Sequence, residues 1–297
     1  MLKMLSLCSR IMLVLAAVAP SAWAGPTLDR IKRTGQITLA HRESSVPFSY
    51  TLPDKKPVGY ALDLCLKVAE AVRKKVGMQS LTPVYLLVTP ANRIAAVAEG
   101  KADLECGSTT NNAERRQTVE FTVPHYITGA RYLVRADSTL DDLQNFSGKK
   151  VVSTQNTTPM KAIEYANRER LLRINILQAP DHATGVEMVE RGDADAFVMD
   201  DVLLYGLRAG RPDPAKLKVV GRFLTIEPLA IMLSKDDPEF KAIVDDEMKR
   251  LINSHEIHEI YAKWFLHPIP PKNVTMNLPM NYLIKDFWKY PTATVPF

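Results

Sequence analysis

The segment Glu105-Cys-Gly-Ser-Thr-Thr-Asn-Asn-Ala-Glu-Arg115 follows a short strand-like run and concentrates hydroxyls, amides and one guanidinium in a single turn. Gly107 allows the backbone to approach a ligand closely, and hydroxyls such as Ser108 and Thr110 can each donate to that ligand. Arg115 supplies a planar fork that binds a carboxylate through two parallel hydrogen bonds. The segment therefore indicates a site for a ligand that carries a carboxylate, although the same residue types also form ordinary turns and helix caps.

Upstream of this segment, strand-like and helix-like runs alternate, and two of the strands also end at an arginine. Gln36 to Ala40 leads to Arg42, and Val84 to Val88 leads to Arg93. Because the carboxyl ends of parallel strands lie along one edge of an open α/β sheet, Arg42, Arg93 and Arg115 are expected to meet there. Three guanidiniums beside a serine and threonine cluster predict an anion site in an α/β fold.

After residues 119–134 the alternation restarts, which predicts a second α/β unit. A strand over Lys149 to Val152 leads to a loop that ends at Thr158 and Pro159. Proline suits the first position of a helix, so Thr158 is expected to be the N-cap of the helix that follows. A cap and an anion site at the helix N-terminus are both open at this point.

Two further strand ends of the second unit carry ionisable side chains. His182 follows the strand that ends near Gln178, and Asp200 and Asp201 follow the strand that ends at Met199. One of the two aspartates can cap the next helix, which leaves the other to receive a cation. The pattern does not say which aspartate does which.

The N-terminus predicts an exported protein. Lys3 and Arg10 precede a short apolar run, and Ala22-Trp23-Ala24 supplies the small residues of a cleavage site, so residues 1–24 are expected to be a signal peptide. The apolar run is well short of the ~20 residues that a membrane-spanning helix needs. Cleavage lowers the formal charge from +5 to +3, because Lys3 and Arg10 are lost with no acidic residue. With no basic run in the remainder, nucleic acid is not an expected partner.

Two cysteines remain after the predicted cleavage, Cys65 and Cys106. An oxidising compartment would allow a disulfide, but Cys65 lies on the apolar face of a predicted helix, where a buried free thiol is equally compatible. The sequence leaves both alternatives open.

Two other features carry weaker signals. The run His255-Glu256-Ile257-His258 lacks the HExxH spacing and a third ligand, so no metal or other cofactor is expected. The chain from Pro268 to Phe297 shows no regular periodicity and is expected to wrap the surface as an irregular tail.

Six motifs spread over residues 41–273 resemble the periplasmic solute-binding proteins of ABC amino-acid importers (family 3), in particular those for glutamate and aspartate. The motifs are His41-Arg-Glu-Ser-Ser-Val-Pro-Phe-Ser-Tyr50, Asn92-Arg-Ile94, Glu105-Cys-Gly-Ser-Thr-Thr-Asn-Asn112, Asp181-His182, Met199-Asp-Asp201 and Ile269-Pro-Pro-Lys-Asn273. The resemblance implies a two-lobed (type II) α/β fold with two hinge strands and one amino acid enclosed between the lobes. Lobe 1 would comprise residues 25–128 and 231–297, and lobe 2 residues 129–230.

The resemblance also implies which side chains bind the ligand. The α-carboxylate would contact Ser108, Thr110 and Arg115. The side-chain carboxylate would contact Arg42, Arg93 and His182. The α-ammonium would contact Asp200, and Thr158 would contribute from lobe 2. The sequence departs from its resembling relatives at Pro90, where they carry a serine that also touches the distal carboxylate, so the order of aspartate and glutamate is open.

The expected function is periplasmic binding of L-glutamate or L-aspartate by a monomer that delivers it to the membrane permease of an ABC importer. One alternative is a secreted, dehydratase-like enzyme of the same fold that uses Ser108, His182 and Asp200 as a triad. The chain lacks the G-x-S-x-G elbow of such hydrolytic sites. A receptor ectodomain is a third class, but no second apolar run follows the signal peptide.

Overall fold

The computed structural model describes residues 26–294, and the predicted signal peptide lies outside this range. Its α-helices are α1 Pro26–Thr34, α2 Tyr60–Lys75, α3 Arg93–Ala98, α4 Thr158–Glu169, α5 His182–Arg191, α6 Asp201–Ala209, α7 Pro238–Asn253, α8 Glu256–Phe265 and α9 Tyr282–Phe287. Its strands are β1 Gln36–His41, β2 Ser44–Ser45, β3 Ser49–Thr51, β4 Pro57–Val58, β5 Thr82–Leu87, β6 Leu104–Glu105, β7 Val119–Phe121, β8 Tyr126–Thr128, β9 Ala130–Arg135, β10 Lys150–Thr154, β11 Asn175–Ala179, β12 Ala196–Asp200, β13 Leu217–Val220, β14 Glu227–Leu229 and β15 Met232–Ser234. Three 3-10 helices cover Arg115–Gln117, Leu143–Phe146 and Pro214–Lys216.

Two five-stranded sheets form the centres of two lobes. The first has the order β5-β1-β6-β15-β7, with β1 parallel to β5 and β6 and with β15 antiparallel to its neighbours. The second has the order β11-β10-β12-β9-β13, with β10 parallel to β11 and β12 and with β9 antiparallel to its neighbours. The predicted α/β class and the two-lobed architecture are confirmed, and each sheet carries helices at the ends of its parallel strands.

The chain passes between the two sheets through β8 and β14, which pair antiparallel in a two-stranded sheet of their own. The pairing of Thr128 with Glu227 places the two crossings side by side. These strands are the two hinge strands of the fold. The lobe boundaries given above, at 128/129 and 230/231, fall at the ends of this strand pair and stay a prediction.

Apolar periodicity determines how the helices pack on the sheets. In α2, the side chains of Leu64, Cys65, Val68 and Val72 are fully buried, while Lys74 and Lys75 in its last turn are exposed. This 3.6-residue spacing is the pattern of a helix with one face against a core. Cys65 uses its place on that face to form a disulfide with Cys106, which settles the alternative that the sequence left open.

A buried aspartate joins the N-terminal helix to the rest of lobe 1. Asp237, with 0% exposure, caps α7 by accepting from the Phe240 N–H at 2.9 Å. Its second oxygen accepts from the N–H groups of Thr27 and Leu28, at 2.9 Å and 3.3 Å. One carboxylate therefore satisfies free donors at the starts of both α1 and α7.

The C-terminal segment differs from the expected irregular surface tail. It contains α9, whose Ile284 is completely buried, and Trp288 just beyond it is 7% exposed. The Asn281 side chain donates to the Ile127 carbonyl of β8 at 2.8 Å, and Trp288 Nε1 donates to the Pro124 carbonyl at 3.1 Å. The segment is therefore packed against the hinge region and contributes to its core.

No helix within residues 26–294 is long and apolar enough to cross a membrane.

Candidate ligand-binding site

A small polar cavity lies between the two lobes. It is lined by Arg42, Arg93, Ser108, Thr110, Arg115, Thr157, Thr158, Pro159, His182, Met199, Asp200 and Leu203. All eight residues that the sequence analysis selects as ligand contacts are in this set. The tertiary structure thus brings them together from strand ends that are distant in sequence, while their contact with a ligand stays a prediction.

Three arginines form the cationic wall of the cavity, and each is at most 9% exposed. Arg42 directly follows β1, Arg93 begins α3, and Arg115 begins a 3-10 helix. Backbone carbonyls orient two of the guanidiniums: Arg93 Nη1 donates to Pro90 at 2.9 Å, and Arg115 Nη1 donates to Thr110 at 2.8 Å. The Nε of Arg93 has no hydrogen-bond partner.

Burial lowers the pKa of all three arginines, and repulsion between them adds to the effect on Arg42 and Arg93. Nearby carboxylates oppose this shift, with Glu105 acting on each of the three. Such a cluster of buried like charges is unfavourable unless an anion enters it. The cavity is therefore electrostatically prepared for a ligand with negative charge.

The structure shows a different reason for the glycine at position 107 from the one that the sequence suggested, and this reason involves Glu105. The Glu105 side chain is completely buried beneath the loop, and its two oxygens have no hydrogen-bond partner. A Cβ atom at position 107 would overlap Glu105 Oε1 and would also lie 3.1 Å from Arg42 Cγ. The glycine is needed here because a buried carboxylate passes beneath the backbone, and Gly107 itself does not line the cavity.

His182 contributes a neutral imidazole from lobe 2. Its Nδ1 lies 2.8 Å from Thr154 Oγ1, and its Nε2 is buried without a partner. Burial lowers the pKa of His182 well below the usual value, and the charges of Arg42 and Arg93 lower it further. The free ring nitrogen is thus available to a ligand group that approaches the two arginines.

The structure distinguishes between the two aspartates that the sequence left equivalent. Asp201 Oδ1 accepts from the Thr128 hydroxyl at 2.6 Å, which binds this side chain to the hinge. Asp200 lines the cavity at 3% exposure, and its Oδ1 has no hydrogen-bond partner. Burial raises the pKa of Asp200 well above its usual value, and the charges of Glu227 and Asp201 raise it further. The Asp200 side chain makes no capping hydrogen bond to α6 and Asp201 is held at the hinge, so Asp200 is the candidate to receive a cation.

The assignment of Thr158 as the N-cap of α4 is wrong by one residue. Thr157 is the cap, since its Oγ1 accepts from the Met160 N–H at 3.3 Å, and the helix begins at Thr158. The Thr158 hydroxyl instead donates to Glu227 Oε2 at 2.7 Å and lies 3.1 Å from Thr110 Oγ1. Thr158 is therefore free to act in the cavity because its neighbour performs the capping.

Glu227 is the main residue of the site region that sequence reasoning missed. It is 2% exposed at the start of hinge strand β14, directly behind Thr158. A single glutamate before a proline has no recognisable spacing, so only its tertiary position reveals it. Met199 and Leu203, which give the cavity an apolar wall, were likewise not selected as ligand contacts from the sequence.

The lobes touch each other around the cavity. Lys161 of α4 pairs with Glu114 at 2.6 Å, and Arg93 Nη2 donates to the Asn156 carbonyl at 3.4 Å. On another side, Gly206 of α6 packs so closely on the Val46 backbone that a Cβ atom there would lie 2.5 Å from the Val46 carbonyl oxygen. The structure therefore shows the two lobes closed onto the cavity.

In the described part of the chain, neither the supposed catalytic triad nor the run from His255 to His258 has the geometry that its chemistry would require. His182 Nδ1 contacts Thr154, while His182 Nε2 and Asp200 Oδ1 make no hydrogen bond, so no relay joins the residues of the supposed triad. His255 and His258 make ring contacts with each other at 4.9 Å. Within residues 26–294, no group of three His, Cys, Asp or Glu side chains is placed to hold a metal ion.

Comparison with known proteins gives consistent results for sequence and structure. Over 268 residues the chain is 42% identical to the L-glutamate/L-aspartate-binding protein of Pseudomonas aeruginosa, a match that covers 90% of this chain and 88% of the relative. It is 40% identical to the glutamate/aspartate import solute-binding protein of Escherichia coli K12, with 90% and 89% covered. Among solved structures, the fold resembles a mutant of ArgBP from T. maritima with a TM-score of 0.71 and 21% identity, over 80% of this chain and 98% of the other.

A second solved structure, the ancestral amino acid-binding protein AncCDT-1, described as a precursor of cyclohexadienyl dehydratase, matches with a TM-score of 0.67 and 26% identity, over 80% of this chain and 98% of the other. The family model for bacterial extracellular solute-binding proteins, family 3, matches residues 37–267. Together with the two lobes, the hinge strands and the cavity between them, these matches show that the chain belongs to the bacterial extracellular solute-binding proteins of family 3.

Proposed function

We propose that the protein binds L-glutamate or L-aspartate in the interlobe cavity and delivers it to the membrane permease of an ABC importer. The observation that carries the proposal is the presence of three buried arginines around one small cavity. An α-carboxylate uses one bidentate guanidinium. Glu105 acts on the other two only through space, and a second carboxylate on the ligand would give their N–H groups a direct anionic partner.

The α-carboxylate is assigned to Arg115 together with the hydroxyls of Ser108 and Thr110. These three come from one loop, and Arg115 is fixed against the Thr110 carbonyl at 2.8 Å. The distal carboxylate is assigned to Arg42, Arg93 and the free Nε2 of His182. The negative charge of the ligand would relieve the repulsion between the Arg42 and Arg93 guanidiniums. A charged carboxylate should therefore bind more tightly here than the corresponding amide.

The α-ammonium is assigned to Asp200. Its unpartnered oxygen and raised pKa indicate a buried carboxyl group that lacks a counter-charge. A ligand ammonium supplies that charge and lowers the pKa again, so binding and ionisation of Asp200 support each other. The P. aeruginosa and E. coli relatives bear names that specify glutamate and aspartate, which supports the same ligand class for this chain.

Delivery rests on the closed arrangement and the hinge. In the proposed cycle the ligand enters when β8 and β14 flex and the lobes separate, and closure then places Thr158, His182 and Asp200 against it. The permease would distinguish the closed form. We further propose that the protein acts as a periplasmic monomer after export, in line with the extracellular location named in the family description.

Titration calorimetry with L-glutamate, L-aspartate, L-glutamine and L-asparagine tests the proposal. The acids should bind much more tightly than the amides, by up to about 10⁴-fold, because a buried polar site rejects an analogue that leaves its groups unpaired. Equal affinity for glutamate and glutamine would refute the acidic assignment. Mass spectrometry of the incubated ligand separates binding from the dehydratase-like alternative, since an enzyme would convert the ligand and a binding protein returns it unchanged.

A further inference from the structure

The motif Ile269-Pro-Pro-Lys-Asn273, which the proposed ligand site does not use, forms a loop on lobe 1 that reaches lobe 2. Ile269 is buried, and its N–H donates to the Val274 carbonyl at 2.9 Å, which closes the loop at its base. Lys272 lies within this loop and is exposed. Its Nζ donates to the Gly210 carbonyl at 2.6 Å. Because Gly210 ends α6 of lobe 2, this hydrogen bond joins the two lobes.

The loop is held in place from lobe 1. The Tyr50 hydroxyl donates to the Pro270 carbonyl at 2.7 Å, and Tyr50 itself is only 4% exposed. Its ring packs edge-on against Trp264 of α8, with the ring centroids 6.1 Å apart. The rings of Pro270 and Pro271 fix the φ angles of the segment that leads to Lys272. The backbone on which Lys272 is mounted therefore has little freedom to lose when the lobes meet.

The carbonyl group of Gly210 is an acceptor that its own helix cannot satisfy. The last four carbonyl groups of an α-helix have no partner within the helix, and the negative end of the helix dipole lies there. An ammonium group brings both hydrogen-bond donors and the positive charge that this end of a helix favours. Lys272 thus satisfies the end of α6 from the opposite lobe, and this donor is lost when the lobes separate.

A second contact with lobe 1 falls on the same side of α6. Gly206 packs against the backbone of Val46, and it precedes Gly210 by one helical turn. Residues four apart lie on one face of a helix. The helix that presents this face begins directly after Asp200. Fixing α6 against lobe 1 therefore also fixes the strand end that carries Asp200 at the cavity.

We propose that Lys272 is a positioning residue for lobe closure: its hydrogen bond to the end of α6 forms only in the closed protein and raises the affinity for every ligand without contacting any. This assignment rests on the proposed function, because it takes binding to proceed through closure. A contact made in one form only shifts the equilibrium between the open and closed forms. When the open form predominates without ligand, the affinity changes by the same factor.

The test begins with Lys272→Met, which removes the ammonium and keeps most of the aliphatic side chain. Calorimetry should show about two- to fivefold weaker binding of L-glutamate, the scale of an exposed cation at a helix C-terminus. Stopped-flow displacement should show that the loss is mainly faster dissociation. L-Glutamine should lose affinity by the same factor, so that the ratio between the two ligands is unchanged. Lys272→Arg keeps the cation and should recover most of the affinity.

A matched control and a second variant separate this role from a general effect of losing a lysine. Lys218 Nζ donates to the Ser138 carbonyl at 2.8 Å, a contact of the same kind that lies entirely within lobe 2. Lys218→Met should therefore leave the affinity unchanged. Tyr50→Phe removes the anchor of the loop and should cause a smaller loss than Lys272→Met. It should have little further effect in the Lys272→Met background.

Closure itself is measured by pulsed electron–electron resonance between spin labels at two exposed positions, Lys74 of α2 and Tyr165 of α4. Introduced cysteines take the labels selectively, because Cys65 and Cys106 are bonded to each other. At a subsaturating glutamate concentration the closed fraction should be lower in Lys272→Met than in the wild type. At saturation the two proteins should show the same distance.

The outcomes for Lys272 and for the proposed function can be told apart. Glutamate binding with equal affinity and equal closed fraction in the wild type and Lys272→Met overturns the role of Lys272 and leaves the proposed function intact. A loss confined to glutamate, with glutamine binding unchanged, also overturns it, since Lys272 would then act in ligand recognition. A wild type that prefers glutamine refutes the acidic assignment, and the same comparison is then made with glutamine. A wild type that binds no amino acid overturns both proposals.

Discussion

Cys65 and Cys106 form a disulfide that ties the middle of α2 to the end of β6, two residues before Ser108 in the cavity loop. Both cysteines are completely buried, and their Cα atoms are 6.1 Å apart. The bond therefore constrains the loop that carries Ser108, Thr110 and Arg115 from behind. It closes a loop over a sequence separation of 41 residues.

Replacing both cysteines by alanine should lower the free energy of unfolding by about 4 kcal/mol, because the unfolded chain regains the entropy of this loop. Denaturant unfolding of the oxidised wild type and the double variant measures the difference. Dithiothreitol should produce a comparable loss in the wild type and none in the variant. Equal stability of all forms would show that the bond contributes nothing to folding.

Asp200→Asn should weaken the binding of every α-amino acid by about 2–5 kcal/mol, because the ammonium loses its counter-charge in a closed site. Calorimetry with both acids measures the loss. Asp201→Asn is the matched control, since its side-chain carbonyl can still accept from the Thr128 hydroxyl, and it should retain most of the affinity. The reverse order would assign the ammonium to Asp201.

Arg42→Met and Arg93→Met should reduce the preference for glutamate over glutamine, since each removes a cation from the distal end of the cavity and leaves the Arg115 loop intact. The loss of glutamate affinity should be of the order of 2–5 kcal/mol, as for other buried charge pairs. Arg135→Met serves as the control, because this arginine is exposed and pairs with Asp137. An unchanged ratio in both cavity variants would contradict the assignment of the distal carboxylate.

Gly206→Ala should weaken ligand binding, which requires closed lobes, without lowering the stability of the ligand-free protein. In an open protein the alanine favours α6 by up to about 1 kcal/mol over glycine. In the closed form its Cβ would lie 2.5 Å from the Val46 carbonyl oxygen, so ligand affinity should fall at least about tenfold while ligand-free stability is retained or rises.

Gly185→Ala provides the contrast for this prediction. A Cβ atom at Gly185 would meet the Phe197 ring inside lobe 2, at 2.6 Å, so its cost should appear in the free energy of unfolding. Thermal unfolding with and without ligand measures both quantities. Wild-type affinity in Gly206→Ala would mean that the lobes bind ligand without this close contact.

The stability of the protein should fall in acid through His125. This side chain is completely buried between the rings of Phe48 and Tyr60, and burial lowers its pKa to about 3, although the nearby Gly107 backbone opposes part of the shift. Its folded-state pKa lies below the unfolded value near 6.5, so the unfolded chain binds the proton first as the pH falls.

The contribution of His125 is complete above about pH 6.5 and is lost between there and about pH 3, at up to about 1.4 kcal/mol per pH unit. His125→Phe should flatten the dependence of the free energy of unfolding on pH in this window. Denaturant unfolding at pH 7 and pH 5 measures the slopes. Identical slopes in the wild type and the variant would exclude His125 as the source.

The sequence by itself determined the elements that depend on local rules. The apolar spacing predicted the helix that carries Cys65, which is α2, and the loop before Pro159 predicted the start of α4 to within one residue. The positions of Arg42, Arg93 and Arg115 after strands placed them at one edge. These inferences hold because periodicity, capping and the geometry of parallel strands involve residues that are close along the chain or follow a general rule of sheet topology.

Only the tertiary structure decided the features that depend on contacts between distant segments. It paired Cys65 with Cys106, assigned Asp201 to the hinge and left Asp200 to the cavity, and it placed Glu227 behind Thr158 across 69 residues of sequence. The same applies to α9, whose buried face packs on the hinge region. A side chain's hydrogen-bond partner and burial are set by the packing of the two lobes, and neighbouring residues in sequence carry no record of that packing.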